Sequence, residues 1–407
     1  MDLTDWIDAQ HAAQTEFLRA LVQVPSDNPP GDCTPAAERA VELLSDLGFE
    51  VERHPVPQEA CETVGMISAT NLIVRRRFGE GPVIALNAHG DVVAPGEGWT
   101  TDPYGGEVRD GVMYGRGAAV SKSDFATYAY ALLALEQADL QLGGTVELHL
   151  TYDEETGGEI GPKWLLDQGL SKPDLAICAG FSYAVVPAHN GCLHLEVEVK
   201  GRSAHAARPD TGADALEAAT AALAALYGER QALAERRSKT DGIESPTLVV
   251  GLINGGINTN VVPDRVTFRL DRRLIPEESV EQAEAALTSC IQQAVASFDD
   301  ISVETRRVLA AQPLTPLPGA QSVIAALQRN ASLVFGTPVN VVGLPLYTDA
   351  RHYAEAGVPT VLYGAGPRTL TEANAHRADE CLVLEDLRRA TKVVALTLKD
   401  LLGTKPS

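Results

Sequence analysis

The sequence lacks the features that mark several large classes of protein. Its six cysteines form no CxxC pair, which argues against a zinc-ribbon or redox motif and favours free, buried thiols in a reducing cytoplasm. No apolar run approaches the roughly twenty residues that cross a bilayer. A secretory signal has a cationic segment before an apolar stretch, and residues 1–17 contain no such cationic segment. We therefore expect a cytoplasmic protein that does not cross a membrane.

Basic residues are also scarce. Lys and Arg number 33 against 55 Asp and Glu, which gives a formal net charge of -22. Such a surface repels phosphate backbones and anionic lipid headgroups, so we expect a small-molecule substrate and neither a nucleic-acid nor a membrane partner. The rest of the composition is that of an ordinary globular protein, and a length of 407 residues favours two domains.

Alternating strand and helix patterns predict the fold class. Residues 82–88 and 145–152 are short apolar or β-rich runs, and the Ala- and Leu-rich stretch 124–140 between them has a helical composition. This βαβ order is typical of an α/β domain with a mostly parallel sheet. Active groups in such sheets gather at the carboxyl ends of the strands.

A different pattern of apolar and polar residues interrupts this order of strands and helices. Residues 193–200 (LHLEVEVK) alternate strictly between apolar and polar, as in an antiparallel strand with one buried face. We predict an inserted α+β domain at 191–307. The catalytic domain is then discontinuous and comprises 1–190 and 308–407.

Polar side chains follow the predicted strands. His89 and Asp91 come directly after the first run, three consecutive acidic residues at 153–155 follow the second, and His376 lies beyond a later glycine-rich loop. The spacing of His89 and Asp91 allows the carboxylate to orient the imidazole, as metal-binding histidines require. A histidine and an aspartate at this spacing also occur in ordinary surface loops. The pair therefore indicates a metal site only in combination with the other polar groups.

Taken together, the chain resembles the M20 family of metallopeptidases and amidohydrolases, the aminoacylase, carboxypeptidase G2 and succinyl-diaminopimelate desuccinylase group. The resemblance covers nearly the whole length, and its motifs occur in the family's order and spacing. The segments that carry it are AHGDVV (88–93), DGVMYGRGAA (110–119), DEETGG (153–158), GRSAHAARPDTGADA (201–215), NVVPD (260–264) and NAHRADE (374–380).

The resemblance implies a role for each residue of the predicted site. His89, Glu155 and His376 would be metal ligands. Asp91 would support His89, and Glu154 would be the general base. The fold implied is a zinc-peptidase-like catalytic domain.

The resemblance also implies that the insert is a lid and dimerisation domain, so we expect a homodimer or a dimer-based homo-oligomer. His205 is similar to the histidine that reaches into a partner's site to stabilise an oxyanion. Asn260 and Arg273 match positions that hold polar or carboxylate groups of the substrate.

Two departures from the family pattern change the expected metal content. Val120 occupies the position of the aspartate that bridges two metals, and Ala179 occupies the position of a further acidic ligand. The remaining set of two imidazoles and one carboxylate suits one divalent ion, Zn, Mn or Co, and we expect that ion to be labile. Asp124, one turn beyond Val120, is a possible replacement ligand, although a solvent-facing or capping role is the simpler interpretation.

Three functions remain open at this point. The first is metal-dependent hydrolysis of an amide-like C–N bond in a small molecule that carries a carboxylate. The second is hydrolytic deamination of an activated aromatic amine, as in nitroanthranilate aminohydrolase. The third is a metal-free homologue that only binds a ligand or assembles oligomers, and the retained acid–base pair counts against it.

Overall fold

The computed structural model describes residues 2–403. The helices are α1 (Leu3–Val22), α2 (Thr34–Asp46), α3 (Gln58–Thr63), α4 (Lys122–Gln137), α5 (Pro162–Asp167), α6 (Ala215–Ala234), α7 (Val280–Val295), α8 (Ala320–Phe335), α9 (Ala350–Glu355) and α10 (Leu384–Leu402). The strands are β1 (Val51–Pro55), β2 (Thr70–Arg77), β3 (Val83–His89), β4 (Glu107–Arg109), β5 (Val112–Tyr114), β6 (Thr145–Thr151), β7 (Leu175–Cys178), β8 (Ala184–Val185), β9 (Gly191–Lys200), β10 (Thr247–Gly255), β11 (Arg265–Leu274), β12 (Ser302–Ala311), β13 (Asn340–Val341), β14 (Thr360–Leu362) and β15 (Cys381–Val383).

The chain divides into two compact units. Unit 1 comprises residues 1–187, 316–342 and 348–407, and unit 2 comprises 188–315 and 343–347. The predicted boundary at 307 falls inside β12, which pairs with β9 as far as Ala311, and so 308–315 lie in unit 2. Among residues 2–403, no helix combines the length and the apolar character that a bilayer span needs.

Unit 1 is built on a six-stranded sheet with the order β1-β2-β6-β3-β7-β14. Strand β3 lies parallel to β6 and β7, and β7 lies parallel to β14, whereas β2 pairs antiparallel with β1 and β6. The predicted α/β class with a largely parallel sheet is therefore confirmed. The strands at the centre, β3 and β6, are buried along nearly their whole length, as expected of a sheet covered by helices.

Helix α4 is the most buried helix of this unit. It is buried from Lys122 to Leu135 and packs against α1 and α10. Its Ala-rich sequence is apolar on all sides, which is the pattern of a helix enclosed by other elements. Val120 and Ser121 lie directly before this buried helix.

Unit 2 contains a four-stranded antiparallel sheet with the order β10-β11-β9-β12. Helices α6 and α7 pack against each other and cover one face of the sheet, where the apolar residues of β9 are buried with those of both helices. The opposite face carries the polar residues of the same strands, because side chains alternate along a strand. This face holds a row of cross-strand ion pairs, Arg269 and Arg306 with Glu196 among them.

Candidate active site

The candidate active site lies at the carboxyl ends of two neighbouring strands in unit 1. Strands β3 and β6 run parallel, and His89 at the end of β3 pairs with Thr151 at the end of β6. The chain leaves β3 through Asp91 and leaves β6 through the acidic run 153–155. Sheet register therefore brings together two motifs that are more than sixty residues apart.

The tautomer of His89 follows from its hydrogen bond. Its Nδ1 lies 3.0 Å from the backbone carbonyl oxygen of Asp91, and a carbonyl oxygen can only accept. Nδ1 therefore carries the proton, and the lone pair of neutral imidazole is on Nε2, which lies 4.0 Å from a carboxylate oxygen of Glu154. Burial alone would lower the pKa of His89, but Glu154 and Asp91 raise it well above its ordinary value.

Asp91 organises the loop that carries the two glutamates. Its Oδ1 accepts a hydrogen bond from the backbone N–H of Glu154 at 3.2 Å, and its Oδ2 accepts one from that of Glu155 at 3.1 Å. The same Oδ2 accepts a bond of 3.0 Å from the side chain of Asn28, which the sequence analysis did not identify. Asp91 is fully buried and also lies 3.3 Å from Nδ1 of His89. It therefore positions both the imidazole and the acidic turn.

The side chains of His89, Glu154 and Glu155 form a group of metal-type donors. One nitrogen and two carboxylate oxygens from these residues lie within 4.8 Å of one another. A set of imidazole and carboxylate donors suits Zn, Mn or Co. The residues present therefore fit a divalent cation.

Glu154 has the electrostatic surroundings of a proton acceptor. Its pKa is raised to about 7, mainly by burial and also by the neighbouring carboxylates of Glu155 and Asp91, while His89 opposes the rise. A general base is most effective when its pKa lies near the working pH. The structure thus gives the two adjacent glutamates different surroundings on one short turn.

His376 lies beside this group but is not a member of it among the described residues. Its Nε2 is 3.4 Å from a carboxylate oxygen of Glu155, and the hydrogen bond that the imidazole donates to this carboxylate raises the pKa of His376. The backbone of His376 has a positive φ of 61°, which is uncommon for a residue with a Cβ and recurs at functional sites. Its role as a third ligand stays a prediction.

A buried ion pair holds the loop of His376 against the start of α4. Arg116 and Glu380 are both almost fully buried, and their charged groups are 2.6 Å apart. Glu380 also accepts from the backbone N–H groups of Ala119 and Val120. Arg116 and Glu380 therefore tie the loop of His376 to the segment before α4.

Asp124 does not have the solvent-facing role that we expected as one alternative. It is 1% exposed, and its carboxylate accepts hydrogen bonds from the backbone N–H groups of Ala365 at 2.6 Å and Gly180 at 3.2 Å. Burial raises its pKa to about 7. It binds the loops that follow β7 and β14, which is neither the solvent-facing nor the capping role that we expected.

Two further histidines of unit 1 have structural partners. His149 is fully buried within β6, where its ring contacts the hydroxyl of Tyr353 and the carboxylate of Glu147. His352 is buried and its Nε2 lies 2.9 Å from the backbone oxygen of Gly157, directly after the acidic turn. His352 supports the acidic turn through this contact.

The three predicted substrate-binding residues lie in unit 2. His205 is exposed, and its Nδ1 accepts from the backbone N–H of Ala207 at 3.0 Å, which leaves Nε2–H as a donor. Asn260 is exposed as well. The guanidinium of Arg273 donates to Asp271 at 3.0 Å and lies over the ring of Tyr347. Their part in substrate binding stays a prediction.

A largely parallel sheet with histidine and carboxylate donors at its strand ends is the arrangement of a metal-dependent hydrolase. The model of peptidase family M20/M25/M40 matches residues 85–400, most of the chain. The chain belongs to this family, and it is a metal-dependent hydrolase that acts on carbon–nitrogen bonds.

Named relatives extend over nearly the whole chain. It is 30% identical to an acetylornithine deacetylase from Myxococcus xanthus, with 91% of this chain and 92% of the relative covered. It is 29% identical to a succinyl-diaminopimelate desuccinylase from Sphingopyxis alaskensis, with 93% and 95% covered.

Solved structures share the fold at lower identity. An aminopeptidase PepT from Bacillus cereus superposes with a TM-score of 0.74 at 22% identity, covering 96% of this chain and 98% of its own. The YXEP protein from Bacillus subtilis, described as a dinuclear metal-binding peptidase of the M20 family, gives a TM-score of 0.71 at 17% identity, covering 97% and 99%. These similarities show the fold alone.

Proposed function

We propose that the protein uses one divalent cation to hydrolyse the amide-like bond of an N-acylated amino acid or a similar small carboxylate, with Glu154 as general base. The observation that carries this proposal is the group formed by His89, Glu154 and Glu155 at adjacent strand ends. A buried carboxylate with a raised pKa beside a set of metal-type donors is suited to proton transfer during hydrolysis.

Each residue of unit 1 then has a separate task. His89, Glu155 and His376 would hold the cation, which when bound supplies polarisation of the scissile carbonyl and activation of water. Glu154 accepts the proton of the attacking water and passes it to the leaving nitrogen. Asp91 keeps His89 in the required tautomer and the acidic turn in register with it.

The substrate class rests on two supports. The names of both curated relatives denote removal of an acyl group from an amino-acid nitrogen. A guanidinium recognises a carboxylate through two parallel hydrogen bonds, and Arg273 is a partly exposed candidate for that contact. Asn260 and the Nε2–H of His205 are the proposed polar contacts to the rest of the substrate.

The proposal of a single cation rests on what surrounds the predicted bridging position. Val120 has no ligand atom in its side chain. The nearest acidic replacement in sequence, Asp124, already accepts from two backbone N–H groups. Among residues 2–403, Asp124 does not join the group of His89, Glu154 and Glu155.

Turnover of a defined substrate panel tests the reaction. The protein is stripped with a chelator, reloaded separately with Zn²⁺, Mn²⁺ and Co²⁺, and assayed on N-acetyl and N-succinyl amino acids and on an activated aromatic amine. We expect cleavage of the N-acyl compounds only after metal is restored. Cleavage of the aromatic amine alone would assign deamination instead, and equal activity in the chelated protein would reject the metal mechanism.

A double substitution tests the number of cations. We expect the native protein to bind one ion at unit 1, and Val120→Asp combined with Ala179→Glu to bind a second. Inductively coupled plasma mass spectrometry of the dialysed proteins measures the difference. A metal content that does not rise by one ion per chain on this double substitution would contradict the single-cation proposal.

We also propose that two copies of the chain pair through β10. This strand is an edge of the unit 2 sheet, and its sequence TLVVGLING has no charged residue, whereas the other edge, β12, carries Glu304, Arg306 and Arg307. Charged residues protect exposed edges from pairing, and β10 lacks that protection. Its Leu252 and Ile253 are more than half exposed.

Light scattering after gel filtration tests this pairing. We expect a dimer for the native protein and a monomer for Leu252→Lys. The lysines that the two copies would bring to the contact repel each other. Thr305→Lys on the other edge is the matched control and should leave the dimer intact. A native monomer would reject the proposal.

A further inference from the structure

A second cluster of metal-type donors lies in unit 2, on the face of the sheet that α6 and α7 do not cover. One ligand atom each from Cys192, His194 and Asp271 lies within 4.8 Å of the others. Cys192 and His194 are two residues apart on β9 and share a face, and Asp271 on β11 pairs directly with His194. We propose that these three residues bind a thiophilic divalent cation such as Zn²⁺ or Co²⁺.

The orientation of the carboxylate supports this assignment. Oδ2 of Asp271 lies 2.8 Å from Nε2 of His194 and 4.0 Å from Sγ of Cys192. Its other oxygen, Oδ1, accepts from the guanidinium of Arg273 at 3.0 Å. Metal-binding carboxylates are commonly held in this way by a second partner, so Oδ2 is the oxygen presented to a cation. The cation takes the place of the proton between Nε2 and Oδ2.

Cys192 is an unusual residue for the polar face of the unit 2 sheet. The neighbouring acidic residues on β9, Glu196 and Glu198, each pair with arginine or lysine side chains. Near the start of β9, by contrast, Cys192 and His194 place a thiol and an imidazole next to the carboxylate of Asp271. A thiolate, an imidazole and a carboxylate form a recognised zinc donor set, and water can complete four-coordination.

The site is both enclosed and accessible. Cys192 is fully buried, whereas the side chains of His194 and Asp271 are 36% and 31% exposed. An ion can therefore reach the cluster past the imidazole and carboxylate, while the thiol is shielded. This site is independent of the donors in unit 1, which include no cysteine.

Cobalt spectroscopy tests the proposal, because only thiolate-bound Co²⁺ gives a strong near-ultraviolet charge-transfer band. Metal-free full-length protein is titrated with Co²⁺ alone. We expect the band in the native protein, its loss in Cys192→Ser, and its retention in Cys290→Ser, the matched control from α7. The donors of unit 1 give no such band, so failure here is distinguishable from failure of the proposed hydrolase.

A second variant covers the case in which Cys192→Ser does not fold. His194→Asn keeps the thiol and changes a partly exposed side chain, and we expect its Co²⁺ affinity to fall by more than the roughly tenfold that loss of a supporting partner costs. No band in the native protein, an undiminished band in folded Cys192→Ser, or unchanged affinity in His194→Asn would each overturn the proposal.

Discussion

The two donor clusters are built by different means, although each combines an imidazole with carboxylate. In unit 1, His89 is the last residue of one strand and Glu154 lies in the turn after the neighbouring parallel strand, and the sheet register brings the two together. In unit 2, His194 and Asp271 project from the middle of paired antiparallel strands. Loops at strand ends can place two neighbouring carboxylates in different surroundings, whereas a flat strand face fixes each side chain at one spacing. The first arrangement suits catalysis and the second suits binding.

The largest expected effect is on proton transfer in unit 1. Glu154→Gln should lower kcat by about two to four orders of magnitude, because an amide cannot accept the proton of water. Bound metal should be retained, as measured by mass spectrometry. Glu159→Gln, at a half-exposed glutamate that pairs with Lys163 outside the cluster, is the control and should keep full activity. A fully active Glu154→Gln would remove this residue from the mechanism.

The next effect concerns the strand beneath the unit 1 cluster. Burial by itself would raise the pKa of Glu147, yet hydrogen bonds from His149, Ser171 and Arg75 lower it from 4.5 to about 2. The lowered pKa stabilises the fold above pH 4.5, and this contribution disappears as the pH falls through 2. For a shift of this size it is on the order of 3 kcal/mol.

Urea unfolding of the native protein and of Glu147→Gln measures this contribution. The difference in unfolding free energy between the two proteins should be largest near pH 6 and should shrink towards pH 3. Arg77→Gln, at an exposed arginine of β2, provides the comparison and should show no such trend. A difference that stays constant with pH would mean that Glu147 does not titrate as the structure implies.

A smaller effect is expected for Asp91, which contacts both the imidazole of His89 and the acidic turn. Asp91→Asn retains one acceptor oxygen where Asp91 uses two, so the metal affinity of unit 1 should fall about 10- to 100-fold. Competition with a chelator measures the affinity. An unchanged value would show that the turn keeps its position without the carboxylate.

The smallest effect is expected in unit 2 without metal. His194→Asn should change the unfolding free energy of chelator-treated protein by less than about 1 kcal/mol, because the ion pair with Asp271 is partly exposed. Urea unfolding at pH 7 provides the measurement. A loss of several kcal/mol would make the pair a structural element and weaken the contrast between the two clusters.

Much of the fold could be predicted from local periodicity. Strands β3 and β6 lie within a residue or so of their predicted positions. Strand β12 was not predicted, because Glu304, Arg306 and Arg307 obscure the alternation in an edge strand with a polar face. That omission also placed the domain boundary at 307 instead of 315.

The sequence by itself determined the α/β class and the short motifs at strand ends, because a two-residue or 3.6-residue period and a run of carboxylates are local properties. Only the tertiary structure decided that Asn28 supports Asp91, that Asp124 binds two backbone loops, and that Cys192 lies beside Asp271. These contacts join residues far apart in the chain. They depend on strand register and loop packing, which no local pattern specifies.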